Sequence, residues 1–170
     1  MKLFLLGYPA SGKTTVGEIL SPLLNYRWVD TDQWIERQMC QPISEIFSMH
    51  GEDVFRQKEQ ECLEFLIYQE DLIISSGGGM PCNKRTIDLM NKLGVTIYLK
   101  TPISTIVSRL WLGKLNRPRI SFFKDKNTLS EFISSELINR EKYYMQSKYI
   151  IETQGKSLSE ISNEIKILFK

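Results

Sequence analysis

The feature that most constrains this chain is Gly7-Tyr8-Pro9-Ala10-Ser11-Gly12-Lys13-Thr14, which matches the pattern G-x-x-x-x-G-K-[ST]. An apolar run, Leu3 to Leu6, precedes it and reads as a short buried strand. Val16, Ile19, Leu20 and Leu23 follow at helical spacing. Strand, glycine loop and helix in that order make a phosphate cradle. Gly7 and Gly12 permit backbone angles that a side chain would block. Backbone N–H groups then converge on phosphate oxygens, helped by the helix N-terminus. Lys13 reaches the β- and γ-phosphates, and the Thr14 hydroxyl can ligate Mg²⁺. The plainer alternative is a strand–helix turn with no ligand.

The rest of the chain supplies the context that motif requires. Strand-like runs at Leu3–Leu6, Arg27–Asp30, Leu72–Ser76, Val95–Leu99 and Tyr149–Glu152 alternate with helical stretches. Helices are expected at about Lys13–Leu24, Gln33–Cys40, Ser44–Met49, Asp53–Gln69, Lys84–Leu93, Ser104–Leu112, Thr128–Gln146 and Ser157–Leu168. Several strands are continuously apolar, as in a parallel sheet covered on both faces. The pattern therefore predicts one α/β domain over 1–170, a doubly wound parallel sheet flanked by helices. In such sheets ligands sit beyond the carboxyl ends of the strands.

Bulk properties exclude several classes. A net charge of +2 with no Lys/Arg block gives no reason to expect nucleic acid as a partner. Cys40, Cys62 and Cys82 lack C-x-x-C spacing, and His50 is the one histidine, which argues against zinc and a disulfide framework. Reduced thiols fit a cytoplasmic protein. No apolar run approaches the roughly 20 residues that span a bilayer. The apolar start runs directly into the glycine loop, so no signal peptide is expected.

Candidate chemistry follows each strand. Asp30-Thr31-Asp32 ends the second; positions i and i+2 of a strand share a face. Two such carboxylates suit a hydrated Mg²⁺, a substrate hydroxyl, or one of each. Alternatively Thr31 or Asp32 caps the following helix. Further on, Arg56 and Glu59 stand three apart on one helix face. They are either a surface ion pair of little value or an arginine oriented by Glu59 to grip a carboxylate with both prongs. Gly77-Gly78-Gly79 follows the third strand and is either a loose loop or a place where a ligand approaches the backbone. Ser75 and Ser76 are weak candidates for orienting a metal-bound water. Trp111 to Lys126, basic and punctuated by Gly113 and Pro118, reads as a solvated loop or as a lid that brings an arginine to the phosphoryl group. Arg140 and Tyr144, four apart, share a helix face.

Taken in order, the phosphate loop, Asp30-x-Asp32, Phe55-Arg56-x-x-Glu59, Gly77-Gly78-Gly79, Arg117-Pro118 and Arg140-x-x-x-Tyr144 closely resemble the shikimate kinase family. That family is a small member of the nucleoside-monophosphate-kinase-like group with a phosphate loop. The resemblance runs from the N-terminus to about Lys156. It implies five parallel strands, a lid over about 111–126, and a small helical substrate-binding segment over about 32–62. It also implies ATP-dependent phosphorylation of the 3-hydroxyl of shikimate on the route to chorismate and the aromatic amino acids, by a cytoplasmic monomer.

Carried over by position, Asp32 holds the accepting hydroxyl. Arg56 and Arg140 hold the shikimate carboxylate, with Gly77, Gly78 and Gly79 against the substrate. Ala10, Ser11, Gly12, Lys13, Thr14 and Thr15 would hold ATP together with Arg109, Arg117 and Lys156. Lys13 and Arg117 would stabilise the phosphoryl group. Thr14, and Asp30 through water, would hold Mg²⁺. Two departures stand out: Ala10 replaces a glycine often found in the loop, and Arg119 occupies a position that is usually apolar. A gluconate kinase of the same group, or a non-catalytic nucleotide sensor, are the rival readings.

Overall fold

The computed structural model of the protein describes residues 1–113 and 118–169, and for 118 and 119 the backbone alone. The elements, in order, are β1 (Lys2–Leu6), α1 (Lys13–Leu24), β2 (Arg27–Asp30), α2 (Thr31–Met39) and α3 (Ile43–Ile67). They continue as β3 (Leu72–Ser75), α4 (Lys84–Leu93), β4 (Val95–Lys100) and α5 (Ile103–Leu112). The last are α6 (Pro118–Ser121), α7 (Lys126–Tyr144), β5 (Tyr149–Glu152) and α8 (Leu158–Ile167). Among the described residues the strands form one parallel sheet in the order β2-β3-β1-β4-β5. The expected fold class is therefore the observed one.

The apolar strands are explained by what covers them. Side chains alternate across a strand, so Phe4 and Leu6 enter one buried cluster with Ile74, Tyr98 and Leu137. Leu3 and Leu5 point the other way, to Ile73, Ile97, Val16 of α1 and Ile161 of α8. Leu3 through Leu6 are all fully buried. Each such side chain stabilises the fold by about 1.5–3 kcal/mol. A third cluster of Ile35, Ile46 and Phe55, packed with Trp34 and Phe47, lies between α2 and α3. That cluster gives the 32–62 segment a small core of its own.

Several element ends shift by one or two residues from expectation, and two differences bear on the site. The helices expected on either side of Gly51 form one element, α3, kinked at Gly51 with φ 81° and ψ 175°. Thr31 and Asp32 are not caps. Asp30 caps α2, its Oδ1 accepting the N–H groups of Asp32 at 3.0 Å and Gln33 at 3.2 Å. The strand ends two residues earlier than a shared strand face for Asp30 and Asp32 would need, so Asp32 sits in the first turn of α2.

The short helix α6 was not expected, and lies within the stretch read as a lid. Trp111 packs partly buried against the main cluster, and Phe123 stacks on Phe132 at 5.1 Å, so both join the domain body. Arg117 lies outside the described residues, as do residues 114–116 of that stretch.

Candidate active site

The glycine loop joins β1, the central strand, to α1. Gly12 caps α1 with φ 103°, in the left-handed region that favours glycine. Ala10 adopts φ 68° without being glycine. Lys13 is 8% exposed, and its Nζ donates to the carbonyls of Gly7 and Tyr8, both at 2.9 Å. The ammonium thus lies across the loop, where phosphate oxygens would offer stronger, charge-assisted bonds. Beside it is a cleft of about 340 Å³ bounded by Gly12, Lys13, Thr14 and Thr15. Ala10, Arg109 and Leu158 close its rim. Arg109 Nη1 donates to the Ala10 carbonyl at 2.9 Å. Lys156 instead pairs with Glu164, and Leu158 is the nearby residue that borders the cleft.

Thr14 Oγ1 donates to Asp30 Oδ2 at 2.8 Å. One carboxylate therefore serves two purposes, capping α2 with Oδ1 and meeting the phosphate loop with Oδ2. A hydroxyl and a carboxylate side by side are hard oxygen donors of the kind Mg²⁺ takes.

Asp32 lies next to this pair. Its Oδ1 is buried with no hydrogen-bond partner. Burial, then the charge of Asp30, pushes its carboxyl up to about 7, with Lys13 opposing. An unsatisfied buried carboxyl oxygen needs an explanation, and a bound hydroxyl would supply one.

The three glycines after β3 make room for that group and for two arginines. Their purpose is space, since none of them needs a left-handed backbone. A Cβ on Gly77 would lie 2.4 Å from Asp32 Oδ1. One on Gly78 would lie 2.7 Å from Pro9 Cδ of the phosphate loop and 3.4 Å from Arg140 Nη1. One on Gly79 would lie 2.7 Å from Arg56 Nη1. Consecutive residues thus face Asp32, Arg140 and Arg56 in turn. The Gly77 N–H donates to Thr31 Oγ1 at 2.8 Å, which pins this loop to α2.

Arg56 is held as its spacing to Glu59 suggests, with Nη1 on Glu59 Oε2 at 2.7 Å. A second carboxylate, missed in the sequence, takes the other prong: Nε and Nη2 both donate to Glu52 Oε1, at 3.1 and 2.7 Å. Three of the five guanidinium N–H groups are so engaged, and two remain for a ligand. Glu59 is 5% exposed, and burial raises its pKa while Arg56 opposes. Arg140 Nη2 donates to Glu136 Oε1 at 2.7 Å. Tyr144, one turn on, donates its hydroxyl to the Gly78 carbonyl. Glu52 and Glu136 stand four residues before their arginines, a spacing that could have revealed them.

The serines at the end of β3, Ser75 within it and Ser76 just after, belong to the scaffold. Ser75 Oγ donates to the Lys13 carbonyl and accepts from Trp28, and Ser76 Oγ donates to the Leu5 carbonyl. His50 meets Gln41 on the surface.

A family model described as shikimate kinase matches residues 9–169. The chain belongs to the shikimate kinase family. It is 39% identical over 171 residues to a shikimate kinase of Flavobacterium psychrophilum, covering 99% of each chain. Among solved structures it superposes on shikimate kinase from Bacteroides thetaiotaomicron with a TM-score of 0.91 at 31% identity, covering 99% of this chain and 98% of that one. Shikimate kinase from Acinetobacter baumannii in complex with shikimate matches with a TM-score of 0.88 at 29% identity, covering 99% and 92%. Membership in the shikimate kinase family agrees with the order of motifs along the chain.

Proposed function

We propose that this chain transfers the γ-phosphoryl group of ATP to the 3-hydroxyl of shikimate, a step of chorismate and aromatic amino acid biosynthesis. Family membership supports the reaction, and one observation supports the site. Three consecutive glycines face Asp32, Arg140 and Arg56 beside the phosphate loop. That arrangement offers one acceptor for a hydroxyl proton and two cations for a carboxylate, next to a nucleotide cleft.

Phosphoryl transfer asks for positioning and charge stabilisation rather than covalent help. In this reading Gly12, Ser11, Ala10 and Thr15 hold phosphates through the loop backbone, with Arg109 at the rim. Lys13 leaves its loop carbonyls for the β- and γ-phosphates. Arg117 would add charge at the transferred group, and Lys156 stands on the nucleotide side. Thr14 and Asp30 would hold Mg²⁺, which when bound neutralises phosphate charge. Asp32 holds the 3-hydroxyl and takes its proton, while Arg56 and Arg140 orient the ring by its carboxylate.

Residues 1–170 act as one domain in this reading, with 32–62 enclosing shikimate and about 111–126 closing over ATP. We further infer a cytoplasmic monomer acting on soluble substrates. No helix among the described residues is long and apolar enough to cross a membrane, which is compatible with that inference.

Coupled ADP release with shikimate, with gluconate and with no acceptor tests the reaction. Release that depends on shikimate is expected. Equal rates with gluconate, or release independent of acceptor, would overturn it.

A further inference from the structure

Arg140 is oriented by more than its own helix. Glu136 pairs with it through Oε1 at 2.7 Å, the ordinary spacing of two residues four apart. On a solvated surface such a pair counts for little. Here the side chains of Arg140 and Glu136 are only 15% and 23% exposed. The other oxygen of Glu136, Oε2, accepts the Tyr8 hydroxyl at 2.5 Å, a charge-assisted bond across 128 positions of sequence. The Tyr8 ring in turn lies under the Arg140 guanidinium, 5.1 Å from centroid to Cζ. Tyr8 is 4% exposed and occupies the first variable position of the phosphate loop. Ring to guanidinium, guanidinium to carboxylate, carboxylate to hydroxyl: the three side chains close a triangle.

We propose that Glu136 and Tyr8 are positioning residues that fix Arg140 for the substrate carboxylate and register it to the phosphate loop. This rests on the reading that Arg140 binds that carboxylate. A planar guanidinium recognises a carboxylate only when its plane is correctly turned. A guanidinium already held in that plane loses less freedom on binding. The opposing effect is charge: Glu136 partly neutralises Arg140, so its removal would strengthen binding of any anion if orientation did not matter. The two effects have opposite signs, and the experiment separates them.

The measurement is KM for shikimate and for ATP, with thermal midpoints, in Glu136→Ala, Glu136→Gln and Tyr8→Phe, alone and in an Arg140→Ala background. Glu136→Ala should raise the shikimate KM about tenfold, as loss of one charge-assisted bond does. The ATP KM should stay within about twofold. Glu136→Gln keeps an acceptor and should restore most of the loss, and Tyr8→Phe, which keeps the ring, should cost about threefold. In the Arg140→Ala background none of the three should have a further effect on shikimate. An unchanged or lowered shikimate KM in Glu136→Ala overturns the proposal, as does an equal rise for ATP or a rise that persists without Arg140. Should Glu136→Ala fail to fold, Tyr8→Phe carries the same test. If Arg140→Ala itself leaves the shikimate KM unchanged, the carboxylate reading fails and takes this proposal with it. If Arg140→Ala weakens shikimate and the positioning variants do not, the positioning proposal alone fails.

Discussion

Asp32 and Gly77 face each other so closely that a methyl group on Gly77 would sit 2.4 Å from Asp32 Oδ1. The same methyl would lie 3.3 Å from Glu59 Oε1, whose carboxylate is buried behind it. Two acidic side chains therefore share the space left by one missing Cβ.

Gly77→Ala should displace Asp32 while leaving the nucleotide cleft alone. A misplacement of about 1 Å at a reacting group can lower turnover roughly a hundredfold. Steady-state kinetics should show kcat falling by about that factor with the ATP KM little changed. Gly51→Ala makes the contrast, because its φ is +81° and a Cβ there meets nothing within 4 Å. It should lower the thermal midpoint, through strain of about 1–3 kcal/mol in a backbone region open essentially to glycine alone, and keep kcat. An unchanged kcat in Gly77→Ala would show that the space beside Asp32 does not matter to turnover.

Asp32→Asn should gain stability as it loses activity. Burial raises this carboxyl from 3.8 to about 7. The folded state then holds the proton more tightly than the unfolded chain does. Stability contributed by the protonated group is fully present below about pH 4, declines as pH rises towards 7, and is gone above it. Asn cannot ionise, so the variant should melt higher than wild type at pH 8, by at most about 4 kcal/mol, and about equally at pH 4. The α2 cap is unaffected, because Asp30 supplies it. Thermal melts of the ligand-free protein without Mg²⁺ check this, alongside kcat. Equal midpoints at pH 8 would mean that Asp32 is not strained by burial, and a kcat within a few-fold of wild type would remove it from the chemistry.

Arg56 and Arg140 should act on one carboxylate. Removing either should weaken shikimate binding tenfold to a hundredfold, from about 1.5–3 kcal/mol per charge-assisted bond. Lysine should rescue partly, since it lacks the planar fork. Losses should not add in the double variant if the two share one anion. Shikimate titrations of both singles and the double decide it. Strict additivity, or a matching loss of ATP affinity, would separate the two arginines.

Lys13→Ala should abolish turnover and leave the fold standing. The bonds of Nζ to the Gly7 and Tyr8 carbonyls are made within the phosphate loop, and Lys13 itself belongs to neither strand-covering cluster. Circular dichroism should be unchanged while ADP release disappears. Near-normal release from a folded variant would remove Lys13 from catalysis.

Much of this architecture was legible along the chain. The apolar runs, their alternation with helical stretches and the glycine loop led to the parallel sheet, with β2, β5, α1 and α4 at their observed bounds. Local rules suffice there, because a residue's strand or helix preference depends on near neighbours and on a buried face that repeats at period 2 or 3.6. The arginine held by Glu59 was equally readable, since three residues along a helix make a contact.

Which of two nearby carboxylates caps α2 was not readable. Asp30 and Asp32 are both acceptable caps by residue type, and the choice turns on where β2 releases the chain and on the Thr14 hydroxyl waiting beyond it. Nor does any spacing pair Tyr8 with Glu136, or set Gly77, Gly78 and Gly79 against Asp32, Arg140 and Arg56. From sequence came the elements and the types of group able to do the chemistry. Tertiary structure alone decided which groups meet, because contacts between distant residues are set by how whole helices pack on the sheet, and no local period records that.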